Sequence, residues 1–135
     1  MAWLAVSAIL SPLSAHESRP AYLEIREVKP AQYSLLWRTP VLAGNQLPVV
    51  LRLPEGTKDS SEPVRQRLND SLLERRMIET DSPGLAGQRI DFVGLQATIT
   101  DVLVRVVWLD GRQTDNIVRP SQAWMVIAAE QSGWS

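Results

Sequence analysis

His16 is the only histidine of the chain, and it stands beside Glu17 where an uncharged N-terminal run gives way to charged sequence. Imidazole and carboxylate are both metal-ligand types. If the chain is cleaved after Ala15, the new α-amine joins them. Amine and imidazole, with reference pKa values of about 7.7 to 8.0 and about 6.5, then chelate one ion together when both are neutral. Nitrogen donors of this kind suit nickel, copper or zinc. The sequence holds no second histidine and no cysteine, so Glu17 or a partner must complete the set. The competing reading is a solvated chain terminus.

Other chemistry has less to build on. A Ser-His-Asp arrangement needs a histidine held by the fold, and no nucleophile elbow accompanies His16. Glu24, Asp91 and Asp101 are the acids for a fold to bring together, although nothing in their spacing asks for acid–base work. No glycine-rich phosphate loop follows an apolar run. Arg65, Arg67, Arg75 and Arg76 are interleaved with Glu62, Asp70, Glu74 and Glu79, which marks a solvated face of mixed charge. With 14 basic against 15 acidic residues there is no field to draw nucleic acid. The chain therefore reads as a protein that binds rather than an enzyme.

The elements that would carry these residues read as strands. Residues 98–108 alternate Val102, Val104, Val106 and Trp108 with Asp101 and Arg105, and are dense in β-branched side chains that fit a pleated surface better than a helix. Asp110-Gly111 predicts a two-residue type I′ turn behind them. Gly94 predicts a bulge or a close approach of backbone. Residues 21–28 set Leu23 and Ile25 against Glu24 and Arg26, and residues 32–38 set Tyr33, Leu35 and Trp37 against Ser34 and Arg38, with Pro40 as terminator. The short turn between them predicts an antiparallel hairpin. Residues 47–53 predict a third strand with Leu47, Val49, Leu51 and Leu53 inward.

Residues 57–81 are less decisive. Glu62-Pro63 could open a helix with Val64, Leu68 and Leu72 on one face; a loop or one helical turn followed by an edge strand from about Leu72 fits better. Residues 114–119 and 123–129 predict two more strands. The total of about seven or eight short strands predicts an all-β, antiparallel β-sandwich of immunoglobulin-like architecture. Trp37, Trp108 and Trp124 are expected in its core, with a ligand-binding aromatic cluster as the alternative.

Residues 1–15 have an apolar run from Trp3 to Leu10, then small residues, and no charged side chain. That pattern predicts a secretory signal peptide cleaved after Ala15, with residues 16–135 as the exported domain in the periplasm or its equivalent. The competing reading is a buried first strand or short helix, since the run is too short to span a membrane.

The stretch GLAGQRIDFVGLQATITDVLVRV resembles the N-terminal, extracytoplasmic part of HupE/UreJ-type membrane proteins, with Leu85, Gly87, Ile90, Gly94 and Leu95 matching L-x-G-x-x-I-x-x-x-G-L ahead of a D-V-L-V-R-V-like strand. AHESRPAYLEIREV, LLWRTPVLAG, LPVVLRLPEG and VRPSQAW extend the resemblance from Ala15 to Trp124. The resemblance implies a non-enzymatic accessory domain of a nickel- or cobalt-handling system. It also implies a membrane protein partner, or a membrane-spanning region that this sequence lacks, because no apolar run here is long enough to cross a bilayer. A generic adhesion or interaction module is the other expectation.

Overall fold

Eleven strands, described over residues 19–81 and 83–129 in a computed structural model, build two facing sheets. In chain order they are β1 (Ala21–Lys29), β2 (Gln32–Leu42), β3 (Asn45–Gln46), β4 (Val50–Arg52), β5 (Lys58–Asp59), β6 (Val64–Arg67), β7 (Ser71–Glu79), β8 (Arg89–Val93), β9 (Val102–Val107), β10 (Gln113–Val118) and β11 (Trp124–Val126). The larger sheet runs β10-β9-β1-β2-β7-β5, with β3 on β2 and β6 on β7; the smaller one runs β11-β8-β4. The expected β-sandwich is thus present, from more and shorter strands than the seven or eight expected.

Period-two burial explains why the long strands sit where they do. Leu23 and Ile25 of β1, Tyr33, Leu35 and Trp37 of β2, and Val102, Val104 and Val106 of β9 are buried, facing Ile90 and Phe92 of β8 across the sandwich. Trp37 reaches between the layers to the Phe92 ring, with centroids 6.1 Å apart. Tyr33, 1% exposed, accepts the Leu85 N–H on its hydroxyl at 3.0 Å. Burial pushes that hydroxyl's pKa up.

One ladder departs from the antiparallel expectation. β1 pairs with β2 antiparallel but with β9 in parallel, Ala21 opposite Val102 and Arg26 opposite Val107. Parallel neighbours need a long connection, and here nearly the whole intervening chain supplies it.

Local differences have local causes. β2 does not stop before Pro40. The Val41 N–H is donated to Asp70 O on the β7 side, so the Pro40 nitrogen, one residue earlier, faces the side where β1 has run out. The third predicted strand is shortened to β4 on the smaller sheet, beginning after Pro48, and the residues before it, β3, pair with the larger sheet; Leu47, Val49, Leu51 and Leu53 still pack inward as expected. The alternative helix over Val64, Leu68 and Leu72 is absent; β6 and β7 form a hairpin, Leu68 N–H donating to Ser71 O. β7 is also no edge strand, since β2 lies on one side and β5 and β6 on the other. β9 begins only at Val102, Ile99 being 77% exposed, and β11 covers only three residues of the predicted 123–129.

The turn expected at Asp110-Gly111 takes another form. Asp110-Gly111 lies in a three-residue loop, with Gly111 N–H on Trp108 O and Trp108 N–H on Arg112 O, and only Gly111 takes positive φ (95°). The two-residue turn with both central φ positive is Ala43-Gly44, at 51° and 81°, between Leu42 and Asn45. Gly94 has φ 100°, and a Cβ there would collide with the Pro48 carbonyl oxygen, which fulfils the expected close approach.

Because strain and overlap coincide at that glycine, Gly94→Ala should cost about 2 kcal/mol or more. Ala43→Asn, which suits a left-handed position, should add about 0.5–1 kcal/mol. Urea unfolding of both variants beside the unaltered protein measures the two signs.

Candidate functional site

His16 and Glu17, the expected metal ligands, lie outside the described residues, as do the predicted signal peptide and Trp134. Among the described residues no group of three His, Cys, Asp or Glu could hold a metal ion. No described helix is long and apolar enough to cross a membrane.

The three acids do not converge. Glu24 alternates with buried Leu23 and Ile25, so it lies on the outer face of the larger sheet, where it accepts the Tyr22 hydroxyl at 2.8 Å and Arg26 at 3.1 Å. Asp91 alternates with buried Ile90 and Phe92 and lies on the outer face of the smaller sheet, bound to Arg89 at 2.8 Å. Asp101 precedes β9 and lends its backbone oxygen to the Ala21 N–H. The tryptophans also part company. Trp37 belongs to the core. Trp108 is half-buried at the β9–β10 loop, its indole N–H without an acceptor among the described residues. Trp124, also half-buried, carries the Arg89 guanidinium 4.3 Å above its ring.

Cross-strand register orders the outer face of the larger sheet. Asp115, Arg105, Glu24, Leu36 and Arg75 form one row across β10, β9, β1, β2 and β7. Arg105 is bound to Asp115 at 2.9 Å, which raises the Arg105 pKa. Tyr22, beside this row, has its pKa raised by burial and by its bond to Glu24. Exposed Leu103 and Ile117 flank it. Opposite charges alternate here, so the face has no net field to select an ion.

A cleft of about 520 Å³ lies between the sheets. The smaller sheet is three strands wide and stops at β4, whereas the larger continues through β7 to β5 and β6. Part of the larger sheet's inner face therefore has no strand of the smaller sheet over it among the described residues. Trp37 and Thr39 form the floor, Leu47 and Leu51 one wall, Leu72 and Glu74 the other. Register sorts the arginines of this region: Arg65 stands opposite Glu74, Arg67 opposite Leu72, and Arg76 opposite Leu35, all on the inner face, while Arg75, opposite Leu36, points outward. Arg65 binds Glu74 at 2.9 Å and Arg76 binds Asp59 at 2.8 Å. Arg67 makes no ion pair among the described residues. Reading these arginines as one mixed solvated face missed this division, because it is set by the pairing of β6 with β7 and not by a burial pattern within residues 64–67.

No protein-family model matches the chain, and no curated protein does.

The Arg76–Asp59 pair is the least exposed of the cleft's charge contacts, with side chains 19% and 34% exposed. Asp59→Ala should cost about 1 kcal/mol by leaving Arg76 unpaired at the cleft wall. A double-mutant cycle with Arg76→Met should return most of that loss as coupling energy.

Proposed function

We propose that this chain is a non-enzymatic, partner-binding β-sandwich: the exported accessory domain of a nickel- or cobalt-handling membrane system of HupE/UreJ type. The observation that carries the reading is the structural role of the residues on which the resemblance rests. Leu85, Ile90 and Leu95 are buried, Gly87 and Gly94 take positive φ, and Val102, Val104 and Val106 fill the core. These residues join the smaller sheet to the larger. A chain that shares them shares the means of building this sandwich.

Binding rather than catalysis is supported by the dispersal of the acids. Glu24 and Asp91 stand on opposite outer faces, each engaged by an arginine, where general acid–base work would need them in one cleft. Among the described residues the sheet edges at β4, β10 and β11 pair on one side only, and an open edge is a surface to which another chain adds. On this reading His16 and Glu17, with the α-amine freed by cleavage, receive the metal ion, and the membrane partner supplies the remaining ligands.

Two measurements test the two halves. Calorimetric titration of the mature chain with nickel, its N-terminus established as His16 by intact mass, should show binding at about micromolar or tighter that His16→Ala abolishes. Photo-crosslinking in exporting cells should trap a protein with several membrane spans. Absence of nickel binding removes the metal-receiving role; crosslinks to soluble proteins alone would leave a general interaction module instead.

A further inference from the structure

Asp110-Gly111 is the one Asp-Gly pair in the sequence, and it lies in the loop of the β9–β10 hairpin. Glycine leaves its own nitrogen unshielded, so the carboxyl before it is open to attack by the next backbone amide. In that reaction the Gly111 nitrogen bonds to Asp110 Cγ while a Cγ–O bond breaks. The amide proton and the carboxyl hydroxyl leave together as water, and a five-membered succinimide remains. Water then opens the ring at either carbonyl. One opening restores aspartate; the other gives isoaspartate, whose backbone is longer by a methylene. Water is the only co-reactant, and it is lost and regained.

The native loop holds both reacting groups. Gly111 donates its N–H to Trp108 O at 2.8 Å, so its proton is less open to removal by a base. On the carboxyl, Oδ1 accepts the Arg112 backbone N–H at 3.0 Å, and Oδ2 accepts Nε of the same arginine at 2.8 Å together with Nη2. The Arg112 side chain first, and its backbone N–H second, lower the Asp110 pKa. A carboxylate held ionised has no hydroxyl to release. Both side chains are 50% exposed, so bonds and not burial stand between water and this chemistry. We infer that Asp110-Gly111 is a latent site of isoaspartate modification, which Arg112 and the closed turn keep unreacted. Conversion has a structural consequence, because the extra methylene enters the loop closed by Gly111 N–H on Trp108 O and Trp108 N–H on Arg112 O. That hairpin is what pairs β10, which has no other neighbouring strand among the described residues. An opening of the hairpin therefore exposes the pair, and conversion during that opening prevents the old register from reforming. The inference goes beyond the accessory-domain reading and does not rest on it.

The test incubates the chain isolated from exporting cells at neutral pH, once folded and once in urea. Isoaspartate at position 110 is quantified by chromatography of the proteolytic peptides that carry it, which keep their mass and change their retention. The folded chain should convert at about a tenth or less of the rate in urea. Arg112→Ala leaves the backbone N–H on Oδ1 in place and removes the guanidinium, and should speed conversion of the folded chain by about three- to tenfold. Arg112→Lys, which keeps a cation, should fall between the two. Asp70-Ser71, in the β6–β7 hairpin, serves as the reference in the same digests and should convert no faster in either variant. Equal rates at position 110 in folded and unfolded chains would overturn the inference. So would an Arg112→Ala chain that converts no faster than the unaltered one, or one in which Asp70-Ser71 accelerates equally, since the gain would then come from global unfolding.

Discussion

The parallel ladder between β1 and β9 is the interaction on which the rest of the sandwich depends. It brings together residues some eighty positions apart, and through it the N-terminal hairpin and the β9–β10 hairpin become one sheet. Its inward side chains, Leu23, Ile25, Val104 and Val106, are the surface on which β8 packs. Without this pairing β2 would still have β7, but the smaller sheet would face half a layer. Burial of the apolar row, worth about 1.5–3 kcal/mol for each large side chain, holds together what hydrogen bonding alone, at about 1 kcal/mol net per bond, would hold weakly.

The second sheet is positioned by two close approaches of backbone and side chain. Gly94 lets the chain leaving β8 pass against Pro48, which sets the height of β4, and Tyr33 fixes the segment before β8 through the Leu85 N–H. The first contact fixes where the smaller sheet ends at β4; the second anchors the segment that leads into β8. The cleft follows from that ending. No single motif encodes it; it is the difference in width between two layers, with Trp37 left at the step.

How much of this could be read from the sequence depends on whether the cause is local. The alternation of Leu23 and Ile25, of Tyr33, Leu35 and Trp37, and of Val102, Val104 and Val106 is imposed by burial within one strand, so each was legible. Gly94 was legible because only a special backbone requirement explains a glycine between Val93 and Leu95. Residues 64–67 were not, because all four are exposed and their strand form comes from the ladder to β7. The parallel pairing was not, because no residue of β1 encodes the direction of β9. Asp110-Gly111 suggested a two-residue turn, yet Leu109 enters the loop and one positive φ suffices, while Ala43-Gly44 adopts the tighter form without the usual asparagine. The expected metal ligands belong to a segment outside the described residues, and the cleft arises from strand endings that no local pattern announces.

The bareness of β6 sets a hierarchy of motion. A strand with four exposed side chains is held by its backbone bonds to β7 and one surface ion pair, whereas opening β1 or β9 would expose the core. Detachment of β6 from β7 therefore requires far less free energy than global unfolding, whereas β7 stays paired with β2 along its whole length and buries Ile78. Arg65, which lines the cleft from β6, belongs to that weakly held strand, while Leu72 and Glu74 stand on the firmly paired β7. The rim of the cleft can thus open by sampling states in which β6 alone has left the sheet, leaving the remainder of the fold undisturbed.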